Sequence, residues 1–577
     1  MTGRWINQAQ QECADAPRIT RISMTTILLT TVCRPFGGAG EGDSVAAELF
    51  HAQVTRAQGL FSLRQVIRCW GLDYIAHNLQ APCTVLHYPS ERELVRELKS
   101  RTYHYVGINF VVPTFHKLRR VSELVRRHSP ETRIILGGYG TVLPDELLLP
   151  HGDFICREEG IAFMRRLLGE QSDGPLRHPY CPIPAPSVYS YPLRSRVAHV
   201  TGGLGCPNGC DFCSTSHFFK RTYIPFVKTG RELYGLLLEN ERQAQDRGEE
   251  LSGFIVIDED FFLQELRARE FLDCVRSGGR SFPLMGFGSV KGLSRFSADE
   301  VAEMGFETIW IAFESEEAGY EKLKGKGLDE LYASLRSRGI SVLASMIIGF
   351  PFQNREQVDK EFARLMKLAP AMCQFLIYFA FPGTPLHRKV VAEDGFLPEY
   401  AENPDYRRWD GFALHFKHPA FTAAELEQLQ KDLFRRDFET LGPSLVRLFK
   451  VWFEGYRHYK DSANPMLRRR AERMGAYLEG SFHGLYPAVL FGPNRDRRRE
   501  AAELLREIAR TFGGFSLKRK VLCAATVLLA CWTKLASRLP FLGQPTLLRE
   551  EHRMRPADRP AEARRSQAVP SELHDPS

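Results

Sequence analysis

Three cysteines, Cys206, Cys210 and Cys213, stand at C-x3-C-x2-C spacing in GLGCPNGCDFCSTS, residues 203–216. The glycine, proline and asparagine around them describe a chain turning sharply around something. The count of thiols is the constraint. Three cysteines with His217 would form a Cys3His zinc site, whereas an iron-sulfur cluster ligated wholly by protein needs a fourth cysteine. The neighbours in sequence, Cys181 and Cys274, are not nearby. A four-iron cluster held by three thiolates keeps one iron open to an exogenous ligand, and chemistry can enter there.

The surrounding sequence alternates strand-like and helix-like runs. From about residue 195 to 430 the strand-like segments are RVAHVTGGLGCP, GFIVIDEDFF, FPLMGFGS, TIWIAFESE, ISVLASMIIGFP and CQFLIYFAFPGTPLH, with helical patterns between them. Six such units predict a partial (β/α)6 barrel of parallel strands, and the cysteines follow its first strand. A similar rhythm opens the chain: TTILLTTV (25–32), YVGINFVV (105–112), RIILGG (133–138) and DFICREEGIAFMRRLL (153–168) predict a parallel sheet with crossover helices. Ligands sit at the carboxyl ends of strands in such sheets. Those ends carry Gly37, Gly38, Gly40, Gly137, Gly138 and Gly140, which either let a backbone approach a ligand or simply make turns. Residues 431–548 read as helical, and the fold class is α/β with three structured units.

CPNGCDFC resembles the cysteine motif of the radical S-adenosylmethionine (SAM) superfamily, including the aromatic Phe212 before the third cysteine. The resemblance runs through VIDEDFF, IAFES, IIGFPFQNREQ and FPGTPLH, over roughly residues 195–390. It implies a [4Fe-4S] cluster on Cys206, Cys210 and Cys213, SAM chelated at the open iron, and reductive cleavage to a 5'-deoxyadenosyl radical. It further implies that Phe212 packs beside the adenosyl group and that Ser289 and Glu314 make polar contacts to SAM. Asp258, Glu259 and Asp260, three acids in a row at the barrel mouth, are either a solvated strand end or cofactor and substrate contacts.

The N-terminal unit, 23–175, resembles the Rossmann-like cobalamin-binding domain that precedes the barrel in one radical SAM class. It departs from that class at Arg157, Glu158, Glu159 and Gly160, and lacks an Asp-x-His-x-x-Gly motif for a lower cobalt ligand. The implied activity is cobalamin-dependent C-methylation of an unactivated carbon in a lipid or natural-product substrate, with flavodoxin or ferredoxin as reductant. The alternatives are ring closure or rearrangement without methyl transfer, and a methylthiotransferase using Cys33 and Cys69, although no Gly-Cys-Gln-Met-Asn follows the first strand.

Composition bounds the rest. The formal charge of +8 is thin over 577 residues, which argues against a nucleic-acid partner. Thirteen cysteines and a polar N-terminal extension, residues 1–22, read as a cytoplasmic protein. Residues 518–542 hold an apolar run, Val521 to Trp532, with basic flanks. The run is too short to span a bilayer, so the segment reads either as a peripheral membrane contact or as a core helix. Residues 549–577 are charged and Pro-rich and read as a disordered tail.

Overall fold

The computed structural model describes residues 25–36, 50–189, 195–402, 404–536 and 545–553. The first sheet contains β1 (Ile27–Thr31), β2 (Cys83–His87), β3 (Tyr105–Asn109), β4 (Arg133–Gly137) and β5 (Phe154–Ile155), all parallel, in the order 2-1-3-4-5. All five residues of β1 are buried because helices cover both faces. Leu28, Val106 and Ile134 meet Leu118, Val121 and Val125 on one side, while Ile27, Leu29 and Val85 meet Leu72, Ala76 and Met164 on the other. That double burial is why these strands read as continuous apolar runs. The order reverses between β1 and β3, which opens a crevice beyond their carboxyl ends.

β2 was not among the expected strands. Its segment, CTVLH, includes two polar residues whose partners come from elsewhere: the Tyr103 hydroxyl donates to Thr84 at 3.1 Å, and His87 meets Asp73 at 3.1 Å.

The second sheet is built from β6 (Cys181–Pro184) and β7 (Arg196–Thr201). Beside the cysteine loop, β8 (Gly203–Leu204) and β9 (Ile224–Pro225) pair as a short ladder. The sheet continues through β10 (Leu251–Ile257), β11 (Leu284–Gly288), β12 (Phe306–Glu314), β13 (Ser341–Ile348) and β14 (Met372–Ile377). Six strands, β7 and β10 to β14, are parallel and lie side by side in chain order, as the sequence predicts. The addition is β6, antiparallel against β7. Pairing in chain order puts every carboxyl end on one side, so the loops after β7, β10, β11 and β12 meet there.

The helical unit docks on the opposite end of this sheet. Arg470, fully buried, donates to the carbonyls of Phe306 at 2.7 Å and Gly339 at 3.0 Å. A Cβ on Gly455 would lie 2.4 Å from the Gly339 Cα, so two glycines permit the close approach. Its last helix is Leu517–Ala536, and no helix among the described residues is long and apolar enough to cross a membrane.

The disordered tail expected from residue 549 needs correction. Leu548–His552 form β15, antiparallel to β2, with Leu548 opposite His87 and His552 opposite Cys83. The charged side chains that made this stretch look unstructured have partners: Arg549 donates to both Glu97 oxygens, at 2.8 and 3.0 Å, and Glu550 accepts from Arg68. Residues 1–22 and 554–577 lie outside the described residues, as do Gly37, Gly38 and Gly40.

Candidate functional site

The cysteine loop leaves β7 and β8 and turns on Gly205, at φ +81°, and Gly209, at φ +69°. A side chain is disfavoured at either position. Ser216 staples the loop: its hydroxyl donates to the Cys206 carbonyl at 2.7 Å and accepts the Gly209 N–H at 3.1 Å. Cys210 is buried, while Cys206 and Cys213 are half-buried. Burial pushes Cys206 up to about 11 and Cys213 up to about 12, so their thiolates need a cation. His217, the fourth ligand of a zinc reading, has its Nε2 on the Cys210 carbonyl at 3.1 Å.

Asp211 and Phe212, between the second and third cysteines, are held by two tyrosines. Tyr320 and Tyr378 donate to the two Asp211 carboxylate oxygens at 2.7 and 2.6 Å, and their rings meet Phe212 edge-on at 5.7 and 5.8 Å. Lys322 lies 5.6 Å from the Phe212 ring centre and ion-pairs with Glu314 Oε1. Its charge also lowers the Cys210 and Cys213 thiols against the effect of burial.

Glu314 ends β12 in the left-handed region, at φ +51°. Its Oε2 is buried and has no hydrogen-bond partner among the described residues. A buried carboxylate oxygen without a donor is costly, so its position fits a donor supplied by a bound molecule. Ser289 is buried too, but its hydroxyl accepts the Gly292 N–H at 3.0 Å and caps the short helix Val290–Leu293.

The three consecutive acids separate by environment. Asp258 accepts from Tyr223 at 2.8 Å and from Arg267, so both its oxygens are engaged inside the fold. Glu259 opens onto a cavity yet is ringed by protein, and that surrounding, together with Asp258, pushes its carboxyl up to about 7. Asp260 is buried, burial pushes it up to about 6, and neither carboxylate oxygen has a hydrogen-bond partner of normal geometry among the described residues.

The cavity, about 460 Å3, lies at the crevice of the first sheet. Thr31, Asn109, Gly137, Gly138 and Tyr139 line it from the N-terminal unit; Leu204, Phe218, Ile257 and Glu259 line it from the barrel. Tyr139 bridges the two, its ring 5.1 Å from Phe218 and 6.3 Å from Phe219, just beyond the third cysteine.

The glycines divide. A Cβ on Gly137 would meet no described atom within 4 Å, which suits close approach of a ligand. A Cβ on Gly138 would lie 2.5 Å from the Phe110 carbonyl, and one on Gly140 would lie 2.2 Å from the Phe110 ring. Those two serve the packing of the loop. Of the atypical Arg157–Gly160 segment, Glu158, Glu159 and Gly160 line the cavity, Arg157 donates to the Thr141 and Leu143 carbonyls, and Glu159 also caps the next helix.

No family model matches the chain. A curated protein of Pyrococcus horikoshii, named an uncharacterized methyltransferase, is 22% identical over 379 residues, covering 59% of this chain and 80% of that protein. The solved structure of TsrM from Kitasatospora setae, titled a radical S-adenosylmethionine methyltransferase with cobalamin and a [4Fe-4S] cluster bound, superposes with a TM-score of 0.51. It is 14% identical and covers 79% of this chain and all of that one. The chain shares the fold of that structure.

In that fold the sequence reading missed Lys322, Asp211, Tyr139, Tyr320 and Tyr378. Lys322 lies in EKLKGKG among three lysines of similar context, and only its ion pair with the buried Glu314 singles it out. Asp211 was inside the quoted motif, but its role depends on tyrosines 109 and 167 residues away.

Proposed function

We propose that this protein is a cobalamin-dependent radical SAM enzyme that methylates carbon in a lipid or natural-product substrate. The observation that carries the reading is the three-thiol loop, which faces the Glu314–Lys322 pair on one side and opens beside a cavity against the N-terminal sheet on the other. When bound, a [4Fe-4S] cluster and SAM supply radical-generating chemistry, and a corrinoid supplies a transferable methyl group.

The chain's own residues then have distinct parts. Cys206, Cys210 and Cys213 hold the cluster, and Lys322 offsets their negative charge. Glu314 Oε2 would accept a hydrogen bond from a donor of bound SAM, and Phe212 would present an aromatic surface to it. Asp260 and Ser289 stand on the same side of the barrel as second-line polar contacts. Gly137, with open space over its Cα, lets a corrinoid approach the end of β4, and the apolar cavity wall excludes water. Glu259, with a carboxyl near neutrality, can hold or release a proton where the cavity meets the barrel. A low-potential reductant such as flavodoxin or ferredoxin supplies electrons.

Ring closure without methyl transfer uses the same site and differs in product. A methylthiotransferase is less well supported, because no Gly-Cys-Gln-Met-Asn follows the first strand.

The test is anaerobic reconstitution. Wild-type protein should bind close to one four-iron cluster and convert SAM to 5'-deoxyadenosine, and Cys210→Ala should lose both. Full SAM cleavage by that variant would end the assignment. Labelled SAM and mass analysis of products separate methylation from ring closure.

A further inference from the structure

The helix Leu517–Ala536 has a buried side and an exposed side, and the exposed side is apolar. Cys523 and Ala530 are buried against the helical unit, and Leu529 packs beside them. Leu517, Val521, Leu528, Trp532 and Leu535 are 80%, 60%, 73%, 57% and 58% exposed. At 3.6 residues per turn these five fall within an arc of about 60°, opposite Cys523 and Ala530. The adjoining helix Tyr486–Phe491 adds exposed Leu490 and Phe491. Elsewhere the exposed large apolar side chains, such as Leu149, Leu266 and Val391, are scattered, which is ordinary for a protein surface.

Charge selects the occupant. Leu517–Ala536 contains no acidic residue, and the exposed Lys518 and Lys520 lie on either side of the stripe. Arg519 points the other way, to Glu479, and helps fix the helix to its domain. A second copy of the chain seated on this stripe would bring lysine against lysine with no carboxylate on the helix to meet them. Residues 554–577 hold few large apolar side chains, so they are poorly suited to cover it. An anionic lipid surface satisfies both features, since apolar side chains enter the acyl boundary while the lysines reach headgroup phosphates. Trp532 is the residue type favoured at that boundary.

We propose that the Leu517–Ala536 stripe docks this protein flat on an anionic bilayer, without spanning it. The proposal does not depend on the cofactor chemistry, so its failure and the failure of the enzymatic reading are separable.

The experiment is flotation of the full chain with phosphatidylcholine vesicles and with vesicles that also contain phosphatidylglycerol. Wild-type protein should float with the anionic vesicles about tenfold or more better than with the neutral ones, and high salt should reduce the difference. The pair Leu528→Glu and Trp532→Glu, both at exposed positions, should remove binding while leaving the circular dichroism spectrum unchanged. The pair Lys518→Gln and Lys520→Gln should lose the preference for anionic lipid and keep the fold. Three outcomes overturn the proposal: wild type floats with neither vesicle, the acidic pair floats equally well, or light scattering shows a dimer that the acidic pair dissolves.

Discussion

Glu314 combines a left-handed backbone with a buried carboxylate oxygen lacking a donor among the described residues. Each condition costs on the order of 1 kcal/mol or more. Lys322 compensates one oxygen only. A residue that keeps both costs at the mouth of a barrel is positioned for a group that arrives from outside. Glu314→Gln preserves the shape and removes the charge. A hydrogen bond between charged groups contributes roughly 1.5–3 kcal/mol, so the variant should bind SAM about 10- to 100-fold more weakly. Calorimetric titration of reconstituted protein reads this directly, and unchanged affinity would remove Glu314 from the SAM site.

At the scale of elements, the turn after β4 contains glycines with opposite jobs. Gly140→Ala drives a methyl group into the Phe110 ring, which would have to move from a distance of 2.2 Å. Overpacking of this kind destabilises by about 1–3 kcal/mol, and denaturant unfolding of the corrinoid-free protein should show it. Gly137→Ala meets no described atom within 4 Å and should leave that stability nearly unchanged. It narrows the cavity instead. If the cavity receives a corrinoid, Gly137→Ala should retain less of it after desalting than wild type does. Equal loss of stability in both variants would show that the two glycines are not distinguished in this way.

Across the whole molecule, distant parts of the chain complete one another. β15 covers the open edge of β2, and Arg549, Glu550 and Glu551 reach Glu97, Arg68 and Arg101. Gln58 and Ser444 exchange hydrogen bonds at 2.8 and 2.9 Å, tying the N-terminal unit to the helical one. A chain ending at Leu547 lacks β15 and leaves Arg68 with one acidic partner fewer. Hydrogen exchange in Cys83–His87 should then accelerate while β12 and β13 keep their protection. If exchange in β2 is unchanged, β15 rests on the sheet without stabilising it.

The sequence by itself determined the local features: the three-cysteine loop, the six parallel strands that follow one another as apolar runs, and the alternation that builds the first sheet. Each is legible because burial on both faces or a fixed ligand spacing writes a pattern into neighbouring residues. Tertiary structure decided what depends on partners far along the chain. CTVLH and LREEH become strands because Tyr103, Asp73, Arg68 and Glu97 supply partners for their polar side chains. Of three consecutive acids, Asp258 is engaged by Tyr223 and Arg267, whereas Glu259 faces the cavity. Lys322 differs from Lys324 by pairing, half-buried, with the buried Glu314. Periodicity reports which face of an element is apolar, but the charge and hydrogen-bond state of a polar side chain is set by whatever the fold brings against it.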